Sequence, residues 1–176
     1  MFKNQKKFIY LIFSLFVLST SLIFTGCNKD DEDDKTEECE NFTKIEGSVQ
    51  INNDNLSLSV ATLAVSSGFE GVVYNFLIGG FTSDCNKLIS VNINALVPEG
   101  GTLNGTYAIK DFFDAEAGDA FGTTTTQQIS PISQSLVELA SGTVQFTDQG
   151  SKKYTIDLKA KTITNEDLTL KVTHTF

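Results

Sequence analysis

Ile89-Ser90-Val91-Asn92-Ile93-Asn94-Ala95-Leu96-Val97, closed by Pro98-Glu99-Gly100-Gly101, decides the fold class. Ile89, Val91, Ile93, Ala95 and Val97 fall on one face, with Ser90, Asn92 and Asn94 opposite. A period of two is the mark of a half-buried strand, and the Pro-Gly cluster ends it in a turn. The same period recurs on both sides. Upstream, Ile45, Gly47, Val49 and Ile51 alternate before the turn residues Asn52-Asn53-Asp54-Asn55, and Leu56, Leu58 and Val60 follow. The apolar parity then changes at Ala61, Leu63 and Val65, which predicts a bulge. Val72 to Phe81 is apolar on both parities and reads as a central strand. Downstream come Leu103, Gly105, Tyr107 and Ile109, then Val144 and Phe146, with a turn at Asp148-Gln149-Gly150-Ser151. Tyr154, Ile156, Leu158 and Ala160 form the next face. Asn165-Glu166-Asp167 turns into Leu168, Leu170, Val172, His174 and Phe176. Ser133 to Ala140 suits a short helix or a strand, and Thr123 to Thr126 suits an edge strand. Eight or nine short strands with no helical stripe predict an all-β antiparallel β-sandwich, with a closed lipocalin-like barrel as the alternative.

The chain before residue 42 has a different composition. Lys3, Lys6 and Lys7 precede an apolar run from Phe8 to Phe24, which ends in Phe24-Thr25-Gly26-Cys27. A basic start, an apolar middle and small residues at the end read as a secretory signal over residues 1–26. The close resembles a lipobox, in which Cys27 is acylated and becomes the first residue of the mature chain; Phe24 stands where Leu is usual. The run is also long enough for an uncleaved membrane anchor, the competing reading. Both place the remainder outside the cytoplasm. Residues 27–41 form an acidic tether in which Asp30, Asp31, Glu32, Asp33, Asp34, Glu37, Glu38 and Glu40 face only Lys29 and Lys35. Such a block repels itself and buries nothing. Extended, it reaches about 45–50 Å. The β-domain occupies residues 42–176.

Of 176 residues, 13 are Lys or Arg and 22 are Asp or Glu, for a formal charge of −9. Every basic residue is Lys, His174 is the one histidine, and Trp is absent. An acidic chain without Arg is ill suited to nucleic acid, which requires clustered cations. One His and three Cys do not supply a zinc finger.

Three short motifs carry a family resemblance. Phe42-Thr43-Lys44-Ile45-Glu46-Gly47, Gly105-Thr106-Tyr107 and Ser141-Gly142-Thr143-Val144 resemble strand starts and turns of small flavobacterial-type Bacteroidota lipoproteins with a C-terminal all-β domain. Cys27-Asn28-Lys29-Asp30-Asp31-Glu32 resembles the acidic export signal that carries such proteins to the outer face of the outer membrane. The resemblance implies a location and an all-β fold. It implies no activity.

Several residues are candidates for chemistry. With Cys27 acylated, Cys39 and Cys85 form an even pair outside the cytoplasm and suit a disulfide. Lys110 to Gly122 is read as a long loop carrying Asp111, Asp114, Glu116 and Asp119, which could offer oxygen ligands to Ca²⁺, although the spacing is not that of an EF-hand. Phe112 and Phe113 on the same segment are candidate ligand contacts, and Phe112 or Phe121 could instead pack into the core. His174 lacks the nucleophile and orienting acid of a catalytic triad, and no Gly-x-Ser-x-Gly elbow is present. The expectation is a non-enzymatic, lipid-anchored module that binds a protein or glycan partner or serves an envelope complex. A periplasmic carrier of a small apolar ligand is the alternative, and a hydrolase using Asp114 and His174 is the third reading.

Overall fold

The computed structural model describes residues 45–68 and 71–176. The expected signal, the lipidation site Cys27, the tether and Cys39 lie outside the described residues. Nine strands follow in order: β1 (Ser48–Ile51), β2 (Asp54–Gly68), β3 (Gly71–Phe81), β4 (Lys87–Pro98), β5 (Gly105–Ile109), β6 (Asp119–Gln128), β7 (Ser133–Asp148), β8 (Lys153–Thr162) and β9 (Asp167–Thr175). The all-β class and the strand number match the sequence reading. Ser133 to Ala140 is the first half of the long strand β7, and the parity change in β2 is a bulge between Leu58 and Val60.

The hydrogen-bonded order is β1-β2-β3-β4-β6-β5-β7-β8-β9, and β1 pairs again with β9, so the sheet closes into a barrel. Among the described residues only β5 and β6 run parallel, over Ala108↔Asp119 and Ile109↔Ala120. The interior is filled. Phe76 on β3 stacks on Phe146 on β7 with centroids 5.1 Å apart, and Tyr154 and Phe176 stand edge-on to Phe76 at 5.8 and 5.1 Å. Opposite walls thus meet across a packed core, as the two layers of a sandwich do. The seam removes the open edges that a sandwich would keep. Closure also corrects the reading of Thr123–Thr126. β6 is not an edge, because it pairs with β4 on one side and with β7 and β5 on the other. Its polar Thr residues are half-buried within a continuous ladder.

β7 changes partner partway along. Ser133 to Glu138 pairs with β6, whereas Gly142 to Phe146 pairs with β5. A bulge between Leu139 and Ser141 marks the change. Gly142 follows at φ +127, and a Cβ there would lie 2.2 Å from the Lys159 carbonyl oxygen. Only glycine fits a positive φ and so close a backbone approach.

The seam is short and is reinforced by one side chain. Gln50↔Lys171 and Ile51↔Leu170 are its ladder pairs. Asn52 extends it: its backbone N–H donates to the Thr169 carbonyl at 2.9 Å, and its Oδ1 accepts from the Thr169 N–H at 2.9 Å. Asn52 and Asn53 have φ of 50 and 68 and form the two-residue turn between Ile51 and Asp54. Two positive φ values in a two-residue hairpin suit a type I′ turn, which asparagine tolerates better than most residues. The same residue therefore makes the turn and continues the seam. Asn52→Gly should keep the turn and lose the side-chain bond, costing about 1 kcal/mol. Asn52→Ala should cost roughly 1 kcal/mol more, from the positive φ. Urea midpoints of the two variants against the parent measure both terms.

Candidate functional site

The inward faces are almost wholly apolar, so polar chemistry has to be sought at the rim, in the loops and on the outer walls. Loop 110–118, between β5 and β6, is shorter than the sequence suggested, because Asp119 to Gly122 already belong to β6. Two carboxylates of the segment, those of Asp111 and Asp119, serve its own turns. Asp111 Oδ1 accepts from the Phe113 N–H at 2.9 Å, and the Asp111 carbonyl accepts from the N–H groups of Asp114 and Ala115. Asp119 Oδ2 accepts from the Glu116 N–H at 3.3 Å. Among the described residues no three His, Cys, Asp or Glu side chains gather into a group able to hold a metal, so Asp111, Asp114, Glu116 and Asp119 do not converge on one point.

The phenylalanines of this segment do come together. Phe121 is on the outward face of β6 and does not enter the core. Phe112 stands edge-on to it at 4.9 Å, and Phe113 stands edge-on to Phe112 at 5.3 Å. Phe113 remains 49% exposed. Edge-to-face rings at these separations attract through their quadrupoles, which holds the loop down on the outer wall.

Beside them lies a feature that sequence reasoning missed. Asn94 on β4 pairs with Phe121 on β6 and with Asn75 on β3. Asn75 Nδ2 donates to Asn94 Oδ1 at 2.7 Å and to Asn92 Oδ1 at 3.0 Å, and Asn94 Nδ2 donates to Asn92 Oδ1 at 2.8 Å. Asn94 is only 3% exposed on an outward-facing position. A buried amide left without partners costs about 1–3 kcal/mol, and the triangle avoids that cost. Asn92 and Asn94 were legible as the polar face of β4, but Asn75 sits in a strand apolar on both parities. Only the β3–β4 register joins the three.

Cys85 is disulfide-bonded; Cys39, its expected partner, lies outside the described residues. The turn Thr82–Lys87 presents Cys85 at φ 57. Thr82 Oγ1 donates to Asp84 Oδ1 at 2.5 Å, and Asp84 Oδ1 also accepts from the Asn86 N–H at 3.1 Å. These bonds, the threonine hydroxyl first, lower the Asp84 carboxyl below its ordinary value.

His174 faces inward near one rim of the barrel, in register with Leu170 and Val172, and stands edge-on to Phe176 at 5.2 Å. No hydrogen bond or ion pair joins it to Asp114 among the described residues. At the same rim Leu63, Val65, Tyr74, Lys152, Tyr154 and Phe176 line a cavity of about 260 Å³. That is slightly below the roughly 300–1,000 Å³ usual for small-molecule pockets. No protein family model, no curated protein and no solved structure matches the chain.

Two phenols report on the integrity of the barrel. Burial pushes the Tyr107 hydroxyl above its ordinary value, with Tyr74 adding to the shift, and the hydroxyl donates to the Thr102 carbonyl at 3.0 Å. Burial also raises Tyr154, aided by Asp148 and Tyr74. A phenol raised in the folded state keeps its proton after the unfolded chain has begun to lose one. The contribution to stability is intact below the unfolded value near 10 and is lost as pH rises through the folded value. Urea midpoints should therefore fall above about pH 10, and Tyr107→Phe should flatten part of that alkaline slope.

Proposed function

We propose that this chain is an outer-membrane lipoprotein, held by acyl chains on Cys27 and facing outward, whose β-domain is a non-enzymatic binding or envelope-accessory module. The signal-like start, the small pair before Cys27 and the acidic tether support the anchor and its direction. With Cys27 acylated, Cys39 is the remaining partner for Cys85, and their bond pins the entry of the domain to the β3–β4 turn. A disulfide closing a loop of that length contributes about 3–4 kcal/mol in the chain-entropy account.

The observation that carries the binding reading is the difference between the two outer walls. On β8 and β9 the outward positions include Asp157, Lys159, Lys161, Asp167 and Lys171, and Lys161 pairs with Asp167 at 2.7 Å in full view of solvent. That is an ordinary solubilising surface, and such an exposed pair adds little stability. On β3, β4 and β6, from Ala95↔Ala120 down to Leu88↔Gln127, the outward positions carry no charge. Asn75, Leu77, Leu88, Ser90, Asn92, Phe121, Thr123 and Thr125 are half-buried there, and Asn94 is buried. Binding surfaces are depleted of charge at their centres in just this sense, because every buried charge must be desolvated.

Cys27→Ser should abolish incorporation of labelled fatty acid and release the protein from the membrane fraction. Protease added to intact cells should cleave the parent protein as readily as it does after lysis. Protection until lysis would place the domain in the periplasm.

The closed sheet and the rim cavity favour a second reading, a carrier of a small apolar ligand. Under the leading reading an apolar fluorescent dye should not bind saturably at the rim. Saturable binding that is lost in Tyr74→Ala would move the carrier reading ahead.

A further inference from the structure

We propose that the first half of β7, Ser133 to Val137, is a docking edge for an extended segment of a partner protein, one with apolar residues at alternate positions and basic residues at its N-terminal end. The inference rests on the binding-module reading and names the partner class. Three observations carry it.

The first is a ladder that stops short. β7 pairs with β8 from Asp148↔Tyr154 as far as Leu139↔Thr162, and one further bond runs from the Ile163 N–H to the Glu138 carbonyl at 2.9 Å. β8 then leaves through the turn that leads to β9. From Glu138 back to Ser133, β7 is paired with β6 on its other side. The Glu138 carbonyl points toward β8, so by alternation the N–H and C=O groups of Gln134 and Leu136 point the same way. Among the described residues no strand lies there to meet them. Lysine and proline commonly guard an exposed edge, and neither stands between Ser133 and Val137.

The second is the apolar surface around this edge. Among the described residues, three of the five exposed large apolar side chains are here. Leu136, 47% exposed, is on the outward face, opposite Thr125 of β6, and so continues the uncharged wall of β3, β4 and β6 to its margin. Ile132, 87% exposed, directly precedes the edge, and Ile163, 60% exposed, stands where β8 departs. A strand added beside β7 gains main-chain hydrogen bonds from Gln134 and Leu136, and its outward residues lie against this aliphatic surface.

The third is size and charge, which select the occupant. The edge is about 17 Å long. A stable dimer takes about 800 Å² and roughly 20–30 residues from each partner, far more than this edge with Ile132 and Ile163 supplies. A short extended segment fits it. Glu138 closes one end of the edge, and the adjoining β8–β9 turn adds Glu166 and Asp167, of which Asp167 is answered by Lys161 at 2.7 Å. At the other end Lys87 is two strands away, through Gln128↔Ser133 and Lys87↔Gln128, with Asp84 in the turn before it. The carboxylates at the Glu138 end disfavour the chain's own acidic segment before residue 42 and favour a cation. In an antiparallel addition, the arrangement β8 itself uses, the N-terminal end of the segment meets Glu138.

The test uses the full-length, detergent-solubilised protein and two synthetic peptides, Lys-Lys-Val-Thr-Val-Thr-Val and its twin with both lysines replaced by glutamate. Calorimetric titration measures binding, and backbone amide hydrogen exchange locates it. The lysine-tipped peptide should bind saturably, slow exchange at Gln134 and Leu136, and bind at least tenfold more tightly than its twin. Leu136→Lys should weaken it by tenfold or more, and Glu138→Lys should remove the preference between the two peptides. Both side chains are exposed, and unchanged urea midpoints confirm that the variants are folded. Absence of saturable binding overturns the docking edge, as does binding that leaves exchange at Gln134 and Leu136 unaltered or that Leu136→Lys does not weaken. A concentration-dependent dimer lost in Leu136→Lys, with no peptide bound, assigns the edge to a second copy of this chain and equally overturns the proposal. These results leave the binding-module reading standing; its own failure is read at the rim, from saturable dye binding that is lost in Tyr74→Ala.

Discussion

The requirement that every strand find two hydrogen-bonded neighbours governs this molecule. A sheet edge presents unpaired N–H and C=O groups and invites pairing with other chains. Here the requirement is met by bringing the four-residue strand β1 between β2 and β9. The seam has few ladder pairs, and Asn52 lengthens it with both a backbone and a side-chain bond to Thr169. The bulges in β2 and β7 follow from the same need, since a closed sheet has to bend and individual strands have to change partner without losing their ladders.

Closure also fixes where chemistry is placed. The inward positions of nine strands are occupied by aliphatic and aromatic side chains that meet at Phe76 and Phe146. A filled centre leaves a polar ligand only the rim and the outside. The rim holds a modest apolar cavity, and one outer wall carries an ordered group of amides and rings without charge. The opposite wall bears the lysines and aspartates that keep the domain in solution. The division follows from the strand sequences: β8 and β9 alternate apolar residues with Lys, Asp and Thr, whereas β3, β4 and β6 alternate them with Asn, Ser, Thr and further apolar residues.

Much of the fold was legible because period two is a local property. The faces of β4, β8 and β9, the Asn52-Asn53 turn and the change of parity in β2 were all readable before any pairing was known. Closure was not, since nothing local to Gln50 or Ile51 announces Lys171 and Leu170 as partners. Thr123–Thr126 was misjudged for the same reason: a polar β-prone run suits an edge unless strands on both sides claim it. The amide triangle was half legible. Asn92 and Asn94 stood out as a polar face, but Asn75 joined them only through a register spanning a hairpin. The acidic loop attracted attention by composition, yet Asp111 and Asp119 cap local N–H groups, and its phenylalanines proved the more organised part.

The bonded state of Cys85 bears on how the domain carries a load. The other two cysteines, Cys27 and Cys39, both precede the barrel in the chain. A pull arriving from upstream of the bonded cysteine therefore enters at the β3–β4 turn through a covalent bond. It reaches the long β3–β4 ladder, eleven residue pairs from Gly71↔Pro98 to Phe81↔Leu88, and bypasses the two-pair seam at β1. A short joint of the barrel is thereby taken out of the line of tension, and the strands that bear the neutral wall become the ones that transmit force.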